Sequence, residues 1–352
     1  MKFYSILFFL LIVLNQCSNS TNTNNTVTEG SKKDCSVHSA RIMFYNCENL
    51  FDTSNDEGEG DDEFTPEGRL NWTAERYNKK IENLASVIAK IMSESSVFGI
   101  GLCEIENQVV LEDLVATSDL APFHLKIIHE ESHDKRGIDV AFLYNPEVMT
   151  EISHEVYRPQ FDDPDYSSRD ILYVKGKCCN GKDLHIFVNH WPSRRDGEEI
   201  SEGRRIVLAN LLLTHINEIK KEDSKALIIA MGDFNDEPEN KSMNTVLNAS
   251  IYSDEFGKTN GLINLMYEFK QKGIGTITYQ SNWNTFDQFV VSSSLYEGKK
   301  TDIENEGHAF NDRMVMFKDK NGNLFPNKTY GGDKYYGGYS DHLAVYTDLY
   351  FN

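Results

Sequence analysis

Asn46 and Glu48 stand two residues apart directly after the apolar run Ile42 to Tyr45, so on an extended backbone both side chains project to the same side. Glu104 closes a second apolar run, and a carboxylate leaving a buried strand needs water or a cation to offset its desolvation. Oxygen donors of this kind suit a hard cation, magnesium or manganese, with calcium as a further candidate. His190 ends a third run and leads into Trp191-Pro192-Ser193-Arg194-Arg195, where Ser193 and two guanidinium groups can face a phosphate. Gly232-Asp233-Phe234-Asn235 follows the most apolar run of the chain, and Asp233 and Asn235 again share a face. Near the C-terminus, Ser340-Asp341-His342 sets a carboxylate beside an imidazole, a pair able to divide metal binding from transition-state stabilisation. Each block has an ordinary reading, because Gly-Asp-x-Asn is a common turn and a lone histidine is more often a structural hydrogen-bonder. Their shared position at the ends of apolar runs, after the run for the first four blocks and before it for Ser340 to His342, is what places them on one rim of a sheet core.

The elements that must carry them follow from periodicity. Apolar residues at Tyr77, Ile81, Leu84, Ile88 and Ile91 predict a helix between the strands Ile42 to Tyr45 and Val97 to Leu102. A second strand, helix, strand unit spans Leu184 to Val188, Ile206 to Ile219 and Ala226 to Met231. Gly137 to Tyr144 alternates as a strand ending at the turn signal Asn145-Pro146, and further strands fit Thr276 to Tyr279, Phe286 to Val291 and Leu343 to Tyr346. This order predicts an α/β sandwich of mixed sheets with helices outside. The acidic loop Asp52 to Glu63 lacks the regular alternation of a helix-loop-helix calcium site and reads as solvated. The Gly- and Tyr-rich stretch Tyr330 to Tyr339 reads as a loop at the edge of the site.

A chain of 352 residues has room for one large core, since sandwiches of roughly 250 residues commonly form one domain. Ile6 to Leu14 is too short to span a bilayer and fits the core of a signal peptide, residues 1–16. Leu14-Asn15-Gln16-Cys17 resembles a loose lipoprotein cleavage box, which makes Cys17 the expected lipid anchor. Residues 17–36, rich in Ser, Thr and Asn, then form a tether, and 37–352 the catalytic domain. The expected location is the bacterial cell envelope, anchored in the outer membrane or periplasm, or otherwise secretion. Cys35, Cys47, Cys103, Cys178 and Cys179 remain, an odd set in which Cys178 and Cys179 can pair with others in an oxidising compartment. Cys47 and Cys103 read as small buried hydrophobes. The net charge of −20 opposes attraction of a polyanion, although a bound metal reverses the local field.

Taken as an ordered set, Asn46, Glu48, Glu104, His190, Asp233, Asn235, Asp287, Asp341 and His342 resemble the endonuclease/exonuclease/phosphatase superfamily over residues 40 to 348. The resemblance implies a four-layered α/β sandwich, two mixed β-sheets packed face to face with helices outside, and divalent-metal cleavage of phosphoesters. It implies Glu104 as the main metal ligand, with Asn46, Glu48 and Asp341 completing or buttressing the site. Asp233 orients or deprotonates the attacking water, and Asn235 holds that water or a phosphate oxygen. His342, oriented by Asp287, donates to the phosphoryl oxygens, and His190 lies near the leaving group. In-line displacement at phosphorus needs these parts: a polarised water, a charge-neutralising metal and donors for the equatorial oxygens.

Gly101-Leu102-Cys103-Glu104-Ile105-Glu106-Asn107 and Val188-Asn189-His190 look like the extracellular nuclease branch, which usually carries lysines where this chain has Trp191 to Arg195. Ser193, Arg194 and Arg195 remain the candidates for substrate phosphate, and Trp191 for a stacked base or a core role. The first expectation is a nuclease-like phosphodiesterase outside the cytoplasm, acting on a phosphoester such as DNA or RNA with no obligate protein partner. A phosphatase or phospholipase C-type enzyme on inositol phosphates or sphingomyelin is the second, and a non-catalytic surface binding lipoprotein the third. An exposed aromatic hairpin favours lipid, and a groove of arginines and lysines favours nucleic acid.

Overall fold

The computed structural model describes residues 35–56, 60–195, 197–251, 261–279 and 282–352. The expected signal peptide and Cys17 lie outside these residues, and so does the tether except for its last two positions. Among the described residues no helix is long and apolar enough to cross a membrane.

The first strand, β1 (Ser39–Leu50), is buried along nearly its whole length because it is sandwiched on both faces. It pairs in parallel with β2 (Ser96–Ile105), and the crossover between them is helix α1 (Ala74–Met92). Thr73 caps α1 by accepting from the Arg76 backbone N–H, and Ile81, Leu84, Ile88 and Ile91 face the sheet as their spacing predicts. Helix α2 (Gln108–Ala116) starts at once after β2, where the Asn107 side chain accepts from the N–H groups of Val109 and Val110. Strands β3 (Lys126–His129) and β4 (Asp139–Tyr144) extend the sheet on one side, and Val345–Phe351 pairs antiparallel to β1 on the other.

The second sheet repeats the plan. Strands β5 (Met149–Tyr157), β6 (Ile171–Cys178) and β7 (Asp183–His190) form an antiparallel meander, and β7 then runs parallel to β8 (Leu227–Asp233) through helix α3 (Glu198–Glu222). The strand Asp287–Ser292 closes onto β8 antiparallel. Each sheet has seven strands and is mixed.

Three apolar clusters make the layers. Phe44, Phe98, Phe142, Ile186, Met231 and Phe289 meet between the sheets. Ile81, Leu84, Ile88 and Leu111 pack α1 and α2 on the first sheet, and Leu208, Leu212 and Ile216 pack α3 on the second. The expected four-layered sandwich is the observed one. Helix α3 begins eight residues before the apolar spacing does, because its first turns are polar and carry no periodic signal. The meander β5–β6 also escaped the sequence reading, since β5 alternates between half-buried and exposed residues on the edge of its sheet. Cys35 pairs with Cys179, Cα atoms 5.1 Å apart, while Cys47, Cys103 and Cys178 are free and buried.

Candidate active site

The strands carrying the polar blocks do not stop cleanly. They kink where the functional residues stand. Glu48, Asn49, Glu104 and Asn235 take left-handed backbone angles, with φ of 50°, 57°, 58° and 50°. The β1–β2 register shifts between Asn46 and Leu50, and the β2–β4 register between Cys103 and Ile105. A left-handed non-glycine residue costs about 1–3 kcal/mol and persists only where its surroundings enforce it. The kinks break the alternation of the strands and turn consecutive polar side chains toward one rim. Gly232 serves the same end, because a Cβ there would stand 2.2 Å from the Asn189 carbonyl. Its absence lets β7 and β8 approach so that His190 and Asp233 lie side by side in register.

Both sheets contribute to the centre. Asn46 Nδ2 from the first sheet donates to Asp233 Oδ2 of the second at 3.2 Å and lies 3.4 Å from His342 Nε2. His342 Nδ1 is 2.7 Å from Asp287 Oδ2, which fixes the ring. Its Nε2 lies 3.8 Å from Asp233 Oδ2 and 3.9 Å from Asp341 Oδ1. His190 Nε2 sits between Glu104 Oε1 at 3.8 Å and Asp233 Oδ2 at 3.7 Å. Asn235 is held by its own N–H to Asp233 Oδ1 and by Nδ2 to the Trp191 carbonyl, each at 3.0 Å.

The electrostatics assign distinct protonation states. Burial opposes charge on His342, but Asp287, Asp233 and Asp341 outweigh it and hold the imidazole well above its usual pKa, so it is a cation at neutral pH. Burial drives His190 the other way, reinforced by Arg169 and Arg136, so it stays neutral. Burial pushes the Asp233 carboxyl up to about 7 against the pull of His342. Glu104 is also penalised by burial, yet Arg136, His342, Arg169 and Arg195 hold it below the usual carboxylate range. Glu104 is therefore ionised, with Oε2 accepting from the Asn49 N–H at 2.8 Å and Oε1 without a hydrogen-bond donor among the described residues. An ionised carboxylate with an oxygen free of hydrogen bonds is a hard donor that fits a divalent cation, and half-open Asp341, beside His342, offers a second.

The remaining expected residues separate. Glu48 is engaged elsewhere: its oxygens accept from the N–H groups of Thr329 (2.6 Å) and Tyr330 (3.3 Å), and Lys80 Nζ lies 3.6 Å away. Lys80 also donates to Thr329 Oγ1 and the Tyr339 carbonyl, so the pair fastens the 329–339 segment to β1 and α1. Arg194 does not present its guanidinium to a substrate. It donates to the Asn235 carbonyl, Asp236 and Asn240, pairs with Glu198 at 3.0 Å and stacks on Phe286. Buried Asp236 is shared between Arg194 and the fully buried Arg205, whose Nε lies 2.7 Å from the same oxygen. Ser193 is half-buried and Arg195 exposed. Trp191 is wholly buried, edge-on to Phe234, and is core rather than a stacking platform.

Sequence reasoning missed the cations that surround the centre. Arg136 donates to Asn49 Oδ1 and lies 3.9 Å from Glu104, and Arg169 donates to the Trp191 carbonyl and Asp134. Neither stands at the end of an apolar run, the signal that pointed to the others. The acidic loop also differs from the expectation of a solvated segment, since Asp61 is fully buried.

Comparison with known proteins agrees with the fold. A sequence search of curated proteins finds no match. Among solved structures, a humanized D. rerio TDP2 is similar with a TM-score of 0.54 and 13% identity, covering 88% of this chain and 98% of that one. D. rerio TDP2 complexed with a single-strand DNA product gives a TM-score of 0.54 and 14% identity, covering 88% of this chain and 98% of that one. The Bacteroides thetaiotaomicron mannosyl-6-phosphatase gives 0.53 and 14% over 89% of this chain and 100% of that one. These likenesses show the fold. The endonuclease/exonuclease/phosphatase family model matches residues 41–350, and the chain belongs to that family of hydrolases.

Proposed function

We propose that the chain is a divalent-metal-dependent phosphodiesterase whose reaction centre is the contact between the two sheet rims. The observation that carries this reading is the Asp233 carboxylate, held by Asn46 Nδ2 and facing the His342 imidazolium and neutral His190. Asp233 is the proton acceptor for an attacking water, since a carboxylate that titrates near neutrality can both take and release a proton. Asn235 Oδ1 positions that water. His342, fixed by Asp287, donates to the phosphoryl oxygens as negative charge develops, and His190 adds a neutral donor on the Glu104 side. Glu104 with Asp341 holds the metal, magnesium or manganese with calcium as a further candidate, while Asn46 and Glu48 brace the site. The bound ion supplies charge neutralisation at the phosphoryl oxygens. Arg195 and Arg136 provide long-range attraction for a phosphate.

On substrate, nuclease-like action on a phosphodiester remains the first reading, supported by the guanidinium groups near Glu104. A phospholipase- or phosphatase-type substrate is favoured by a separate observation. A cavity of about 260 Å3 lined by Phe317, Phe325, Lys328 and Tyr336 opens beside Asp341. Phe317 is 54% exposed and Tyr336 53%. An exported, envelope-anchored location through Cys17 is part of the proposal, and the Cys35–Cys179 bond supports an oxidising compartment.

The test is turnover of single-stranded DNA, RNA, bis-para-nitrophenyl phosphate, sphingomyelin and inositol phosphates with each metal, alongside Asp233→Ala. Metal-dependent cleavage lost in the variant is expected. Absence of turnover on every substrate, with metal binding intact, would favour the binding-protein reading.

A further inference from the structure

Residues 50–56, 60–64 and 106–107 meet at a second concentration of carboxylates, apart from Glu104. Ligand atoms of Asp56, Asp61 and Glu106 lie within 4.8 Å of one another. Asp61 is 0% exposed and Glu106 1%, and Asp61 Oδ1 and Glu106 Oε1 are buried with no hydrogen-bond partner. Among the described residues no Lys, Arg or His pairs with any of the three. Two buried carboxylate oxygens without donors, converging with a third carboxylate, are costly unless a cation or shared proton sits between them.

The opposite oxygens are already in use. Glu106 Oε2 accepts from the Asp52 N–H at 2.5 Å, and Asp61 Oδ2 from the Asp56 N–H at 2.8 Å. These bonds aim Oε1 and Oδ1 at the common space. The arrangement also joins three segments: the Glu106 N–H donates to the Leu50 carbonyl, and Phe64 stacks on Phe51 with ring centroids 4.3 Å apart. A Cβ on Gly60 would stand 2.9 Å from the Lys135 carbonyl, so this loop also packs against the backbone that carries Arg136.

We propose that Asp56, Asp61 and Glu106 form a second divalent-cation site, specific for calcium, that clasps the ends of β1 and β2 to the 60–64 loop. The donors are all hard oxygens. Asp56 is exposed, which leaves one side open for the waters that complete a calcium shell of 6–8 oxygens. Magnesium demands a stricter octahedron and holds its own waters, so it competes poorly for a site spread over three segments of chain. The role is positional: the ion braces the chain just after Glu104 and the loop that packs against the backbone of Lys135 and Arg136, without touching the substrate.

Because Glu104 also binds metal, the experiment uses the full chain carrying Glu104→Ala, stripped with chelator. Calcium titration followed by calorimetry and by sensitised terbium luminescence should give one site, filled by calcium at least tenfold more tightly than by magnesium. The unfolding midpoint should rise by roughly 3 °C or more at saturation. Asp61→Asn with Glu106→Gln, added to Glu104→Ala, should abolish both signals, and Asp56→Asn alone should weaken calcium binding severalfold. Asp56 is the safeguard if the double substitution prevents folding, because its side chain is at the surface. The proposal is overturned if the Glu104→Ala chain binds no calcium, if magnesium binds equally well, or if Asp56→Asn leaves affinity unchanged. Loss of turnover in Glu104→Ala with calcium binding intact separates this site from the catalytic one.

Discussion

The rim where the two sheets end and the pair of short hairpins beside it are built on opposite principles. At the rim, Asn46, His190, Asp233 and His342 are buried, cross-linked and carried by long central strands whose backbone is kinked under them. In the hairpins Met316–Lys318 with Leu324–Pro326 and Tyr330–Gly331 with Lys334–Tyr335, strands are two or three residues long and the large side chains Phe317, Leu324 and Tyr336 stand in solvent. Geometry to a fraction of an ångström needs many enforcing neighbours, which a sheet core supplies. Selectivity for an apolar group needs only accessible surface, which a hairpin supplies at little cost to stability. Glu48 fastens the second hairpin to the rim by accepting from the Thr329 and Tyr330 N–H groups, and Lys80 donates to the Thr329 hydroxyl.

The contrast breaks most clearly at Glu104 and His342. Alanine at either position should lower kcat by about 10²–10³ or more while the unfolding midpoint stays close to that of the parent. A collapse of stability instead would mean these residues belong to the core rather than to the chemistry. Arg194→Ala tests the boundary between the regions. Since its donors hold Asn235, Asp236 and Asn240, stability should fall by roughly 2–3 kcal/mol, read by denaturant midpoint. A changed KM with unchanged stability would restore a direct phosphate role. The pH profile sharpens the assignment of the base. Asp233 keeps its proton below about 7, so kcat/KM should rise about tenfold per pH unit up to that point and level off above it. A profile flat from acid to neutral pH would remove Asp233 from the role of base. The smallest effect is expected in the hairpins: Phe317→Ala and Tyr336→Ala should leave stability within about 0.5 kcal/mol and raise KM several-fold only for substrates with an aryl or lipid group. Equal KM changes for all substrates would deny the cavity a selective role.

Much of this was legible in the residues. Apolar runs located the central strands, a period of 3.6 located α1, and polar blocks at the ends of the runs pointed to Asn46, Glu104, His190, Asp233 and His342, because a strand buried on both faces has a continuous apolar signature and its end has nowhere to point but the rim. Sequence adjacency could not say which oxygens of which acids remain free. Glu48 and Glu104 read alike along the chain, yet the N–H groups of Thr329 and Tyr330 and the Lys80 ammonium engage the first, and the second keeps an oxygen without a donor. Arg194 and Arg195 are neighbours with opposite fates, decided by the buried Asp236 that draws in one of them. The acidic loop looked solvated because its residue types are polar, yet in the fold Phe64 stacks on Phe51 and Asp61 is buried beside Glu106. The sequence alone determined the layers and the rim, since those follow from apolar pattern. Tertiary structure decided which charged groups are free to act, since that depends on partners brought from hundreds of residues away.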